Sequence, residues 1–143
     1  MRKLIAERSL EDEISVESAG TGNWHIGQLP DYRAVAEAER RGIAMESRAR
    51  QVTDNDFEVY DLIVAMDASN LEDLRELADH AHHEKFALLR EHDPHAAADL
   101  NVPDPYYGGP DGFAEVFDLV ERSCRVLLDK LEPELADPNA AAE

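Results

Sequence analysis

Apolar positions recur along this chain at two spacings, and their alternation outlines a fold. MRKLIAERSL (1–10) has helical spacing, with Leu4 and Ile5 apolar and charges around them. No Ser, Thr, Asp or Asn stands ahead of its first turn to cap it. ISVES (14–18) alternates and predicts a strand, and the Gly-rich AGTGNWHIGQLP (19–30) predicts a loop. Asp31 predicts the cap of a helix running to about Arg41, with Gly42 as its stop. Thr53 and Asp56 predict a short capped turn. DLIVAM (61–66) is a continuous apolar run, the pattern of a strand buried on both faces. Ser69 and Glu72 suggest a capping box for a helix carrying Leu71, Leu74 and Leu77. KFALL (85–89) predicts a second short buried strand, followed by a long loop from about Arg90 to Pro110. A final helix starts near Asp111. Its stripe runs through Phe113, Val116, Phe117, Val120, Cys124, Leu127, Leu128 and Leu131.

Helices alternating with short apolar strands predict an α/β fold with a parallel sheet. Ligands of such sheets bind beyond the C-terminal ends of the strands. Ser18–Gly22, Asp67 and the segment PDPYYGG (103–109) follow the three predicted strands, so all three belong on that edge. There is no internal repeat and no interdomain linker. One domain is expected over residues 1–131, with 132–143 a polar, frayed tail.

Charge narrows the function. The 143 residues hold 32 acids against 14 basic side chains, a formal net charge of −18. A nucleic-acid binder needs a cationic footprint, so that class is disfavoured. Lysine occurs only at Lys3, Lys85 and Lys130. The balance resembles that of proteins from salt-loving organisms, whose negative charge keeps them soluble in brine. The single Cys124 excludes an intramolecular disulfide framework. No apolar run approaches the roughly 20 residues that cross a bilayer, and no leader pattern opens the chain. A cytoplasmic protein without membrane contact is the expectation. His80, His82 and His83 cluster, but no fixed carboxylate or thiol accompanies them, which makes metal binding a minor reading. Arg48 and Arg50 suit either a local anion or a structural ion pair with Asp67 or Glu46.

The densest chemistry lies in PDPYYGG. Pro103 and Pro105 stiffen the backbone around Asp104, and Gly108 and Gly109 permit a tight turn after it. A positioned carboxylic acid can protonate a poor leaving group such as a phenoxide, whose pKa is near 10. Tyr106 and Tyr107 can wall a slot for a flat aromatic group. A rigid turn with two exposed tyrosines accounts for the spacing equally well.

Longer segments separate these readings. VESAGTGNWHIG (16–27), LPDYRAVAEAERRGI (29–43), SRARQVTDNDFEVYDLIVAMDASNLEDL (47–74) and VPDPYYGG (102–109), with the final helix, resemble the low-molecular-weight protein tyrosine phosphatases in order and spacing. The resemblance runs to about Leu131. It implies a three-layer α/β sandwich of phosphotyrosine phosphatase I-like type, with a short parallel sheet in flavodoxin-like order. It also implies hydrolysis of phosphotyrosine, in proteins or small aryl phosphates, through a phosphocysteine intermediate. No cofactor or metal is implied. By the same match Asp104 is the general acid and then the base. Trp24, Tyr106 and Tyr107 line the substrate cleft, and Ser18 is the serine that hydrogen-bonds the phosphate loop.

The family's phosphate loop (Cys, five residues, then Arg and Ser) is not among the 143 residues. In the family it lies between the first strand and first helix, ahead of the residues matching MRKLIAERSL. Cys124 is a poor substitute. Lys130 follows it at the Arg position, no glycines surround it, and it lies on an apolar stripe. Ser47 stands where many members carry a histidine that steadies the loop. The expectation is a chain missing the first, central strand and the phosphate loop, and inactive by itself. Such a chain should be poorly stable, or recruit a strand from another copy as a homo-oligomer. A catalytically dead phosphoprotein- or partner-binding module is the alternative. Phosphoarginine phosphatase activity stays open, and arsenate reduction, which uses several cysteines, is disfavoured.

Overall fold

The computed structural model describes residues 1–22, 31–45, 50–96, 98–103 and 112–136. Helix α1 spans Arg2–Glu7 and, as its sequence predicts, has no side-chain cap. Helix α2 spans Tyr32–Arg40, and the Asp31 carboxylate accepts from the Arg33 N–H at 2.8 Å. Gly42 ends it at φ +73°. The Gly42 N–H returns to the Glu39 carbonyl and the Ile43 N–H to the Ala38 carbonyl, the paired bonds of a Schellman stop. Helix α3 spans Asp54–Val59, where the Asp56 carboxylate reaches back to the Thr53 N–H at 2.8 Å.

Strands β1 (Ile63–Ala65) and β2 (Phe86–Leu88) pair in parallel, with Ile63 opposite Phe86 and Ala65 opposite Leu88. Helix α4 (Ala68–Leu77) and a 3-10 segment (His80–Lys85) make the crossover between them. The α/β class and the parallel sheet are as the sequence predicts. Among the described residues the sheet has two strands.

The expected strand at 14–18 does not form. Its alternation survives as packing: Ile14 and Val16 lie on the core while Ser15 and Glu17 face solvent. A strand exists only where a neighbour takes its backbone groups. Here the Val16 carbonyl is taken by the Arg2 guanidinium, at 2.8 and 3.2 Å. The next pairing downstream is an isolated parallel bridge between Gly20 and Gln51. Full burial of DLIVAM is corrected for a related reason. With β2 the one strand beside β1 among the described residues, Leu62 and Met66 remain 37% and 42% exposed.

Two apolar clusters flank the sheet. One joins Leu4, Ile5, Leu89, Cys124, Leu127 and Leu128, with Val16, Val64 and Val102 packed against it. The other joins Phe57, Ala65, Leu74 and Leu88, with Leu100 against it. Helix α5 (Gly112–Ala136) supplies most of the first cluster and follows its predicted stripe. It runs on through Pro133, beyond Leu131 where the domain was expected to end. Leu131 still packs on the core, and Arg8 ties Asp129 and Glu132 at 2.7 and 2.9 Å. A proline in the last turn forfeits one hydrogen bond.

The long loop expected after β2 is also revised. It opens with a 3-10 turn, Leu89–His92, that docks on α5. No helix among the described residues is long and apolar enough to cross a membrane.

Candidate active site

The C-terminal end of β1 is a junction of four segments. Asp67 leaves the strand in extended geometry, and its carboxylate accepts from the Asn70 N–H at 2.7 Å. Asp67 therefore caps α4, in place of the Ser69–Glu72 box that the sequence suggested. An Asp side chain on an extended residue before the helix reaches the third N–H, whereas Ser69 is already inside the helix. The next donor, the Ala68 N–H, goes to Asn101 Oδ1 at 2.7 Å. The Met66 carbonyl accepts from the Val102 N–H at 2.8 Å. The stretch leading to Pro103 is thus fastened to the last residue of the strand run and the first turn of α4.

Ser18–Gly22 reaches the other side of α4. Gly20 exchanges bonds with the Arg50 carbonyl and the Val52 N–H, both at 2.8 Å. Thr21 Oγ1 donates to Asp73 of α4 at 3.1 Å. Two of the three segments assigned to the functional edge therefore do converge on one helix. Ser18 itself is exposed in the irregular stretch before Gly20. Asp104, Trp24, Tyr106 and Tyr107 lie outside the described residues, as do Ser47 and Arg48.

Sequence reasoning missed an ionic cluster behind this junction. Asp93 has no exposed side-chain surface. Arg122 of α5 donates to both its oxygens, at 2.7 and 3.0 Å, and the His95 N–H adds a third bond at 2.9 Å. The Arg122 hydrogen bonds are the main reason the carboxyl is held down to about 2; burial opposes them, and the His95 N–H and the Arg90 charge assist. Arg90 Nε lies 3.4 Å from Asp93, and Arg90 Nη1 donates to the Asn101 carbonyl at 3.0 Å. The one local signal was Asp93 followed by Pro94, a turn signature. Nothing local to it names Arg122, which lies on a distant helix.

The other candidate residues have structural partners. Arg50 pairs with Asp56 at 2.9 and 3.1 Å, not with Asp67. That hydrogen bond lowers the Asp56 pKa and raises that of Arg50. His83 Nε2 lies 3.2 Å from the Ala78 carbonyl, and its ring packs on Phe86 and His80. Cys124 is 5% exposed within the first cluster, and burial pushes its thiol pKa up. A reactive thiolate needs the opposite, an electropositive and accessible setting. A cavity of about 380 Å³ lies at the end of α2, lined by Val35, Glu39, Gly42, Ile43, Ala44 and Met45. Among the described residues, none of those assigned to the edge line it.

Comparison with known proteins places the whole chain. The family model of the low molecular weight phosphotyrosine protein phosphatases matches residues 1–137. A low molecular weight phosphotyrosine protein phosphatase of Gallus gallus is 37% identical over 131 residues, covering 90% of this chain and 82% of the relative. A low molecular weight protein-tyrosine-phosphatase of Streptomyces coelicolor is 42% identical over 132 residues, covering 89% and 79%. Among solved structures, a protein tyrosine phosphatase from Entamoeba histolytica superposes with a TM-score of 0.87 at 34% identity, covering 92% of this chain and 84% of that one. The drosophila arginine phosphatase superposes at 0.82 with 27% identity, covering 92% and 85%. With a family match across nearly its whole length and relatives well above 30% identity, the chain belongs to the low molecular weight phosphotyrosine protein phosphatase family.

Proposed function

We propose that this protein hydrolyses phosphotyrosine or small aryl phosphates through a phosphocysteine, with Asp104 as proton donor and acceptor. The observation that carries this is the PDPYYGG segment inside a family match covering residues 1–137. In the first step a cysteine thiolate attacks phosphorus and the bond to the aryl oxygen breaks. Asp104 gives its proton to the departing phenoxide, which is otherwise a poor leaving group near neutral pH. In the second step the Asp104 carboxylate takes a proton from water as that water attacks phosphorus. The phosphorus–sulfur bond breaks and phosphate leaves. Trp24, Tyr106 and Tyr107 are assigned to the walls of the aromatic slot. Ser18, exposed and two residues ahead of the Gly20 bridge, is assigned to the support of the phosphate loop.

The nucleophile is assigned to a Cys-x5-Arg-Ser segment outside residues 1–143. Cys124 is buried, has a raised pKa and is followed by Lys130, so it supplies none of the required chemistry. The side of β1 away from β2 is assigned to a strand carried by that segment or lent by a second copy.

An aryl phosphate assay on residues 1–143 tests this directly. No turnover is expected from these residues alone. Extension ahead of Met1 by an apolar strand and a Cys-x5-Arg-Ser loop is expected to restore it. Equal turnover without the extension sinks the assignment of the nucleophile to that segment, and none with it sinks the activity and favours a phosphoprotein-binding module. The likeness to the drosophila arginine phosphatase supports a second reading, activity on phosphoarginine. Parallel assays with an aryl phosphate and an N-phosphorylated guanidine separate the two.

A further inference from the structure

We propose that Arg90 and Asn101 are positioning residues that fix the place where the chain passes into Asp104. The inference rests on Asp104 being the proton donor. Asn101 is held at three points. Its Oδ1 accepts from the Ala68 N–H at 2.7 Å, its carbonyl accepts from Arg90 Nη1 at 3.0 Å, and its own N–H donates to Asp99 Oδ1 at 2.9 Å. Val102, the next residue, donates to the Met66 carbonyl at 2.8 Å. On either side of Asn101 the chain is anchored in a different core, Leu100 in the cluster around Phe57 and Val102 in the cluster around Leu128. Pro103 then removes one backbone torsion. Two residues of chain span at most about 7 Å, so whatever fixes Val102 bounds where the chain can carry residue 104.

Arg90 is the strut of this bracket. Its side chain is 14% exposed, and Asp93, which it approaches, is in turn gripped by Arg122 of α5. An arginine this sheltered is a costly way to fill space, and an aliphatic residue would pack at a smaller desolvation penalty. What the guanidinium adds is reach in two directions, a charge-assisted bond to the Asn101 carbonyl and an ionic contact to a carboxylate braced on α5. Asn101 ties the same residue to the start of α4. A proton donor needs placement to a fraction of an ångström, and a misplacement of about 1 Å costs about 100-fold in rate. Anchors on three elements hold Asn101 and Val102, the approach to that donor, more firmly than one loop would.

Amide hydrogen exchange on the full 143-residue chain separates this role from general stability. Asn101→Ala and Arg90→Met are expected to lower protection of the Val102 amide at least ~10-fold and to speed exchange at Tyr106–Gly109. Leu127 and Leu128 of α5 should stay within ~2-fold of the starting protein. Asn101→Asp keeps an acceptor for the Ala68 N–H and should retain the original pattern. Unchanged exchange at Val102 and 106–109 in both loss variants overturns the proposal. So does an equal loss in α5, or an Asn101→Asp variant that behaves like Asn101→Ala. Asp104→Asn leaves the bracket intact. Normal exchange in that variant, with turnover unaffected in the extended chain, would remove the catalytic reading and leave the bracket to the exchange data.

Discussion

Replacing Asp93 by Asn keeps the shape of the side chain and deletes its charge. The carboxylate it removes has no solvent exposure and accepts two bonds from Arg122. An amide at this place turns donors toward guanidinium groups and leaves Arg122 and Arg90 short of a counter-charge. Breaking a buried ion pair from one side costs about 3–5 kcal/mol. Part of that cost titrates. The drop of the Asp93 pKa from 3.8 to about 2 corresponds to about 2 kcal/mol of preference for the charged form. Because the folded value is depressed, this share is present in full above pH ~4 and is lost as pH falls through ~2; by pH 3 about half is gone. Urea unfolding of both proteins at pH 7 and pH 3 measures it. The gap between the two proteins should narrow by about 1 kcal/mol on acidification. A gap below about 1 kcal/mol at pH 7, or one independent of pH, would refute the account of the cluster.

Three further outcomes follow from the same structure. Cys124 should resist thiol reagents in the folded protein and react at once in urea, and Cys124→Ser should cost about 1–3 kcal/mol by burying a hydroxyl among leucines. Rapid labelling of the native protein would contradict the buried, raised-pKa thiol. Gly42→Ala should cost about 1 kcal/mol, because φ +73° strains an alanine while Lys3 Nζ, 3.5 Å from the new methyl, leaves it room; a neutral effect in thermal unfolding would be wrong for this stop. With a net charge of −18, the melting temperature should climb by several degrees as salt rises from low to molar concentration, and indifference to salt would sink the comparison with brine-adapted proteins.

Local signals were legible in the sequence where one residue and its immediate neighbours decide the structure. Asp31, Gly42 and the Thr53–Asp56 turn were read correctly because each satisfies backbone groups within a few residues. The apolar stripe of α5 and the centres of β1 and β2 were legible for the same reason. Structure that depends on a distant partner was not. Residues 14–18 carry a strand's alternation, yet a ladder needs a neighbour and they have none among the described residues. Asp93 meets Arg122 across 29 positions, so no window around either reveals the pair. The buried face of α5 is also wider than its stripe: Leu119 and Ser123 are buried too, and Ser123 returns its hydroxyl to the Leu119 carbonyl at 2.8 Å. At the candidate site, the prolines and tyrosines around Asp104 are what single it out in the sequence. Arg90 and Asn101 carry no comparable local mark.

The central claim is that Asp104 delivers the proton to the leaving aryl oxygen. In the chain extended by a Cys-x5-Arg-Ser segment, kcat/KM is measured across aryl phosphates of rising leaving-group pKa, with Asp104 intact and with Asp104→Asn. The account predicts a nearly flat dependence with Asp104 and a steep one without it. The loss should reach about 10²–10⁴-fold for phenoxides near pKa 10 and shrink for acidic phenols. Parallel lines for the two proteins would contradict it.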